Sequence, residues 1–129
     1  MVTYKDNVME IKRLKTNPRM SQAVVYGGLL TTAGQVAKIT AGGSVAEQAQ
    51  EILSEIEALL AAAGTDKSKL LTAQIWLSDI NDFSEFNTVW DAWVTPGASP
   101  TRACVESKLV VPALKVEIEI GRASCRERV

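Results

Sequence analysis

Residues 99–120 have the sequence SPTRACVESKLVVPALKVEIEI and decide the fold. Residues 101–105 favour a strand, and residues 114–120 alternate strictly between apolar and charged side chains, as a strand with one buried face does. Arg102 lies on the first predicted strand, and Glu117 lies at the centre of the charged face of the second. An arginine on one strand and a carboxylate on another can line one cleft, so this pair is where we expect chemistry.

Further strands are predicted upstream of this stretch. Residues 22–26 and 29–32 are short β-like segments, separated by the glycine pair 27–28. Two glycines between apolar segments are typical of a tight primed hairpin turn, because both central residues of that turn have positive φ. Residues 9–14 (MEIKRL) alternate and predict an earlier strand, and residues 70–77 (LLTAQIWL) predict a buried one.

Two amphipathic helices are predicted between the strands. The first begins at Ser44, where Ser44 and Glu47 form a capping-box pattern, and it ends before Gly64. Asp82 and Glu85 offer the cap of the second helix. The apolar stripe of the first helix is Val45, Ala49, Ile52, Ile56, Leu59 and Ala63, and that of the second is Phe83, Phe86, Trp90 and Trp93. The order of strands and helices predicts an α+β fold with two helices on one face of a mixed sheet.

Composition narrows the class of protein. The chain has 129 residues, which suits one domain, and a net charge of -1 with a pI near 5.5, which implies no nucleic-acid partner and no membrane partner. It contains no histidine, so histidine-based triads and histidine metal sites are excluded. The two cysteines form no CxxC motif, and the N-terminus has no long apolar segment. We therefore expect no metal site and a cytoplasmic protein.

The C-terminal residues do not continue this pattern. After Ile120 the sequence is GRASCRERV, in which a glycine is followed by three arginines and a second cysteine. We therefore expect a single domain over residues 1–120, with residues 121–129 as a tail that is either non-native or disordered.

Several of these motifs resemble the RidA/YjgF family of small imine deaminases, also labelled endoribonuclease L-PSP. The likeness covers roughly residues 17–120, and the sequence WDAW at 90–93 resembles a divergent branch of that family. The motifs that carry it are PTRACVE at 100–106, KVEIEI at 115–120, TTAGQ at 31–35, the helix at 48–64, and Asn81-Asp82-Phe83 with Asn87. The resemblance implies a chorismate-mutase-like fold assembled as a homotrimer, with sheets inside and helices outside.

The resemblance also implies roles for the two charged residues. Arg102 would bind the carboxylate of a small 2-imino acid, which a planar guanidinium fork matches in two-point contact. Glu117 would hold the attacking water. Without the resemblance, Arg102 is equally a structural ion-pair partner, and Glu117 is more simply a residue on a solvated strand face.

Five further residues are implied to line the pocket. Gly34, Asn87 and Cys104 match family positions around the ligand. From the residues alone, Asn87 is an exposed helix residue and Cys104 a small buried one, since no histidine is present to activate its thiol. Met20 and Ala33 stand where the family usually has tyrosine and serine, so a less polar substrate, weaker activity and lost activity all remain open.

The resemblance implies hydrolysis of reactive enamines or imines, such as 2-aminoacrylate, to 2-keto acids and ammonia. No cofactor and no metal are needed, because the imine carbon is already electrophilic. The alternative is a trimer that binds small carboxylates without turnover and serves as a sensor or regulator. An endoribonuclease activity is disfavoured by the absence of histidine and of a basic stripe, because RNA binding requires neutralisation of phosphates.

Overall fold

The computed structural model describes residues 10–125 of the chain. Over these residues the chain forms seven strands and two α-helices, and short 3-10 turns precede the fifth strand and the second helix. The elements are β1 (Lys12–Thr16), β2 (Ser21–Tyr26), β3 (Leu29–Thr32), β4 (Gln35–Val36), α1 (Val45–Ala62), β5 (Leu70–Leu77), α2 (Phe83–Trp93), β6 (Thr101–Glu106) and β7 (Val116–Ser124). The predicted α+β order is confirmed.

All seven strands belong to one mixed sheet. Its order is β1-β2-β3-β7-β5-β6, and β4 pairs with β7 beyond the end of β3. The pairs are antiparallel except β5 and β6, which run parallel because the chain returns between them through α2. The two strands predicted from residues 99–120 are therefore not neighbours, since β5 lies between them.

Both helices cover the same face of the sheet, and this packing fixes which way each strand faces. In β7, Val116, Ile118 and Ile120 are buried against the helices, in a core that includes Phe86 and Trp90 of α2. The alternate side chains of β7 project from the other side of the sheet. We call that helix-free side the open face.

The predicted hairpin and first helix cap are confirmed. Gly27 and Gly28 have φ values of 62° and 78°, as a primed turn requires. The Glu47 amide donates to Ser44 Oγ at 3.1 Å, and the Ser44 amide donates to Glu47 Oε1 at 3.0 Å. Within residues 10–125, neither helix combines the length and apolar character that a membrane crossing requires.

Asp82 occupies the N-cap position of the second helix, as predicted, but the capping hydrogen bonds expected of Asp82 and Glu85 do not form there. Glu85 Oε2 instead accepts a hydrogen bond from the Ala46 amide of α1 at 3.2 Å. The N-terminal amides of α1 have no partners within that helix, so a nearby carboxylate satisfies one of them. The first predicted strand is also shifted: β1 starts at Lys12, and Met9 lies outside the described residues.

The chain does not leave the fold at Gly121, so the expectation of a disordered tail is wrong for residues 121–125. β7 continues to Ser124, and the buried Ala123 pairs with Leu30 of β3 and Leu70 of β5. Register irregularities at the β5–β7 pairing return Ala123 to the helix side, although it follows Ile120 by three residues. That these residues are non-native stays a prediction, and residues 126–129 lie outside the described part.

Candidate functional site

Arg102 lies on β6 and faces the helices. Its register partner on β5 is the buried Ala73, and its Nη1 donates a hydrogen bond to Asn87 Oδ1 of α2 at 2.9 Å. The side chain is half-buried, and within residues 10–125 no carboxylate lies close enough to form an ion pair with it. Because a guanidinium has five N–H donors, this arrangement leaves donors available to a bound anion.

Three aromatic rings of α2 surround the same guanidinium. Its central carbon lies 5.5 Å from the ring centroid of Trp90, 5.8 Å from that of Phe83 and 6.0 Å from that of Phe86. We call these three residues the aromatic cage. The sequence pattern indicated only that they form an apolar stripe. One sequence feature could have indicated the aromatic cage. Asn87, which the resemblance places in the pocket, lies within the same two helical turns as the three rings.

Glu117 lies on β7 and projects from the open face, between Trp76 of β5 and Val36 of β4. Partial burial raises the pKa of its carboxyl group, and the neighbouring charge of Glu119 raises the pKa further. A Cβ atom at position 34 would collide with Glu117 Oε2 and lie 2.9 Å from the carboxyl carbon. Gly34 therefore lets the Glu117 carboxylate approach the backbone.

Arg102 and Glu117 are not brought together within one chain. Arg102 contacts α2 on the helix side of the sheet, whereas Glu117 alternates with core residues and projects from the open face. The expectation that the pair lines a single cleft therefore does not hold within one protomer. The pairing register is responsible, because Arg102 is paired through Ala73 of β5 with the helix-facing Ile120, whereas Glu117 is paired with Trp76 on the alternate side.

The remaining pocket candidates lie on both sides of the sheet. Cys104 faces the helices two residues after Arg102, and burial raises the pKa of its thiol while the Arg102 charge opposes that change more weakly. Its thiol is thus protonated at neutral pH. Ala33 precedes Gly34, on the Glu117 side, and Met20 ends the turn between β1 and β2, where it is exposed. Neither adds a polar side-chain group.

The arrangement has simple chemical properties. An arginine with free donors binds an anion, and a partly desolvated carboxylate with a raised pKa exchanges protons. In the part of the chain described, 10–125, no group of three or more His, Cys, Asp or Glu side chains is placed to hold a metal ion.

Comparison with known proteins identifies the family. The family model described as Endoribonuclease L-PSP matches residues 10–123. A RutC family protein from Haemophilus influenzae is 43% identical over 112 residues, which cover 87% of this chain and 97% of the relative. The crystal structure of a YjgF family protein from Neisseria meningitidis matches with a TM-score of 0.89 and 42% identity, covering 94% of this chain and 99% of that one.

A more distant relative has a name that describes an activity. The Salmonella typhimurium protein named 2-iminobutanoate/2-iminopropanoate deaminase is 32% identical over 104 residues, which cover 76% of this chain and 81% of the relative. The family predicted from the sequence motifs is confirmed by the family model and by the RutC and YjgF matches. The chain belongs to the endoribonuclease L-PSP family, whose members here include proteins named RutC and YjgF.

Proposed function

We propose that the protein hydrolyses reactive 2-enamine and 2-imine acids, such as 2-aminoacrylate, to 2-keto acids and ammonia. The observation that carries this proposal is Arg102, which is held by Asn87 and the aromatic cage and has no acidic partner within residues 10–125. An arginine in this state suits a small carboxylate ligand. Family membership and the name of the Salmonella relative support the same reaction class.

The proposed reaction has three steps. 2-Aminoacrylate first tautomerises to its imine, and water then adds across the C=N bond to form a C–O bond while the nitrogen gains a proton. The proton of the carbinolamine hydroxyl then moves to the nitrogen, so that ammonia leaves as the C–N bond breaks and the C=O bond forms. Arg102 would hold the substrate carboxylate, and Glu117 would take the proton of the water and return it to the nitrogen. The raised pKa of Glu117 suits this exchange, because proton transfer is most efficient when the catalytic pKa lies nearer the working pH.

The proposed site requires more than one copy of the chain. Since Arg102 and Glu117 project from opposite faces of the sheet, we propose a homotrimer in which Arg102 of one protomer meets Glu117 of another. The open face supports this assembly, because it is uncovered and carries exposed apolar side chains. Those of Tyr26, Leu29 and Val105 are 45%, 39% and 44% exposed. An uncovered apolar sheet face is typical of an interaction surface.

A coupled assay tests the activity. Purified protein is added to a pyridoxal-phosphate dehydratase that releases 2-aminoacrylate, and formation of the keto acid is followed. Arg102→Ala should lower kcat/KM at least about 100-fold, because two charge-assisted hydrogen bonds to the substrate are lost. Lys69→Ala, which removes one positive charge from an exposed 3-10 turn, is the matched control and should match wild type. Equal rates for Arg102→Ala and wild type would refute the proposal.

A binding function without turnover is the second candidate. The observation that favours it is the pair Met20 and Ala33, which supply no hydroxyl group where the family usually has tyrosine and serine. Calorimetry with pyruvate and 2-ketobutyrate discriminates the two candidates. Binding that depends on Arg102 without any acceleration of imine hydrolysis would identify a small-carboxylate sensor.

A further inference from the structure

We propose that Trp90 is a positioning residue, whose indole ring holds the Arg102 guanidinium ready for the carboxylate of the substrate. This inference rests on the proposed function and deepens it. Trp90 has the shortest of the three ring-to-guanidinium distances, 5.5 Å. Trp90 is only 5% exposed and packs against the Arg102 guanidinium, so it would not touch the bound substrate itself.

The ring of Trp90 is itself held from both sides. Its centroid lies 6.0 Å from that of Phe86 and 5.5 Å from that of Trp93, and both ring pairs are tilted. Trp93 is fixed in turn, because its Nε1 donates a hydrogen bond to Glu57 Oε2 of α1 at 2.9 Å. A continuous series of contacts therefore runs from Glu57 of α1 through Trp93 and Trp90 to Arg102 on the edge strand β6. These contacts restrict movement of the ring against which Arg102 packs.

An aromatic partner does something for Arg102 that a carboxylate partner would not do. The ring quadrupole stabilises the positive charge without accepting its N–H hydrogen bonds and without neutralising it. A free arginine side chain loses conformational freedom when it binds a ligand, and prior immobilisation reduces that loss. Asn87 accepts a hydrogen bond from Nη1, and the rings pack around the central carbon of the guanidinium. The guanidinium therefore keeps its charge and its position, and its remaining N–H groups are available to an anion.

Because Trp90 also packs in the core, the test must separate positioning from folding. Trp90→Leu removes the aromatic ring, Trp90→Phe keeps one, and Trp93→Leu is the matched control. Trp93 is a partly buried aromatic neighbour on the same helix that lies outside the aromatic cage. Binding of 2-ketobutyrate is measured by calorimetry, and kcat and KM are measured in the coupled assay.

The variants are expected to change substrate binding while leaving the turnover number nearly unchanged. Trp90→Leu should raise both the Kd for 2-ketobutyrate and KM about tenfold, the loss expected for a desolvated cation–π contact, while kcat changes by less than about twofold. Trp90→Phe should restore most of the affinity. Trp93→Leu leaves the Trp90 ring against Arg102 and removes only its support, so it should raise the Kd less than about twofold. The Arg102 Nε–H resonance, assigned with Arg102→Lys, should lose its ring-current shift in Trp90→Leu and keep it in Trp93→Leu.

A second variant keeps the inference testable if Trp90→Leu does not fold. Phe83→Leu removes a cage ring that is 39% exposed, so it leaves no large core cavity, and it should raise the Kd about threefold. Wild-type affinity in the folded cage variants, or an equal loss in Trp93→Leu, would overturn the role of Trp90 while leaving the proposed function intact. Absence of 2-ketobutyrate binding and of imine hydrolysis in wild type would overturn both.

Discussion

At the scale of single residues, the position of the Glu117 carboxylate depends on the identity of residue 34. The Glu117 carboxylate lies where a side chain at position 34 would be, so its location depends on the absence of a Cβ atom there. The atom that such a Cβ would meet is the end of a flexible side chain, which can move aside. A substitution at Gly34 should therefore displace the carboxylate more than it disturbs the fold.

Gly34→Ala should lower kcat/KM at least about tenfold, since a displaced carboxylate would not hold the water in the position proposed for it. The free energy of unfolding should change by less than about 1 kcal/mol. Enzyme kinetics and urea titration measure the two quantities. In a Glu117→Ala background Gly34→Ala should have no further effect on kcat/KM, and an undiminished effect there would contradict the coupling.

Glu117 should also affect how stability depends on pH. Its pKa is raised above the ordinary value of 4.5 in the folded protein, so the folded state favours the protonated form. The free energy of unfolding should therefore fall as the pH rises above about 4.5, the region in which the unfolded chain releases this proton. Glu117→Gln should be more stable than wild type at pH 7 and equal to it below pH 4. Thermal unfolding at several pH values measures this, and a constant difference between the two proteins would contradict it.

At the scale of elements, two polar side chains of α1 organise the loops that flank the site. Gln48 is fully buried, and its Nε2 donates to the Gly43 carbonyl at 3.1 Å and to the Ala113 carbonyl at 3.0 Å. Its Oε1 accepts from the Lys115 amide at 2.9 Å, two residues before Glu117. A buried amide with all these partners holds the start of β7 against the helix. The position of Glu117 thus depends partly on α1.

Glu51 fixes the segment before α1. Its carboxylate accepts hydrogen bonds from the amides of Lys38, Ile39 and Thr40 and from the Thr40 hydroxyl, at 2.7–3.1 Å. The Lys38 amide contributes most to a lowering of the Glu51 pKa from 4.5 to about 2, followed by the Thr40 hydroxyl and the Thr40 amide. Because these bonds favour the charged form, the carboxylate stabilises the fold above pH 4.5, and this contribution is lost as the pH falls toward 2.

Glu51→Gln should lower the free energy of unfolding by about 1–2 kcal/mol at pH 7, a value reduced for solvent screening of this accessible group. The difference from wild type should vanish near pH 2. Glu55→Gln is the matched control, because Glu55 makes an exposed ion pair with Lys15 at 2.8 Å. That pair should contribute less than about 0.5 kcal/mol. Urea titration across this pH range measures both variants, and equal effects would contradict the role of Glu51.

At the scale of the whole molecule, the sheet has one covered and one uncovered face. The helices bury the first face, while the open face presents apolar side chains beside Glu117 and Glu119. The proposed trimer would cover this surface and would bring together the two charged residues that a single chain keeps apart.

Val105→Glu places a charge on the open face and should convert the proposed trimer to monomers, because burying an unpaired carboxylate is strongly unfavourable. Imine hydrolysis should be lost together with the assembly. Sedimentation velocity measures the oligomeric state. Ala58→Glu adds the same charge on the exposed side of α1 and should leave the oligomeric state of wild type unchanged. A Val105→Glu variant with the oligomeric state of wild type would exclude the open face as the assembly surface.

Several elements were predictable because their signals are local. The glycine pair 27–28 requires positive φ, the Ser44 and Glu47 pair satisfies amides within one turn, and the apolar periods of α1 and β7 mark their buried sides. The family was predictable for a related reason, since its motifs are short and occur in order along the chain.

The tertiary structure decided what depends on strand order and on contacts distant in sequence. The register of β5 with β6 and β7 places Arg102 on the helix side and Glu117 on the open face, and the sequence of β6 alone does not encode the side on which Arg102 lies. The aromatic cage and the bond from Ala46 to Glu85 also join separate elements. Sequence patterns by themselves determined which residues form each element and which side of it is apolar, because those properties arise within a few residues. Which face of the sheet Arg102 occupies, and therefore its separation from Glu117, was decided only when the elements packed.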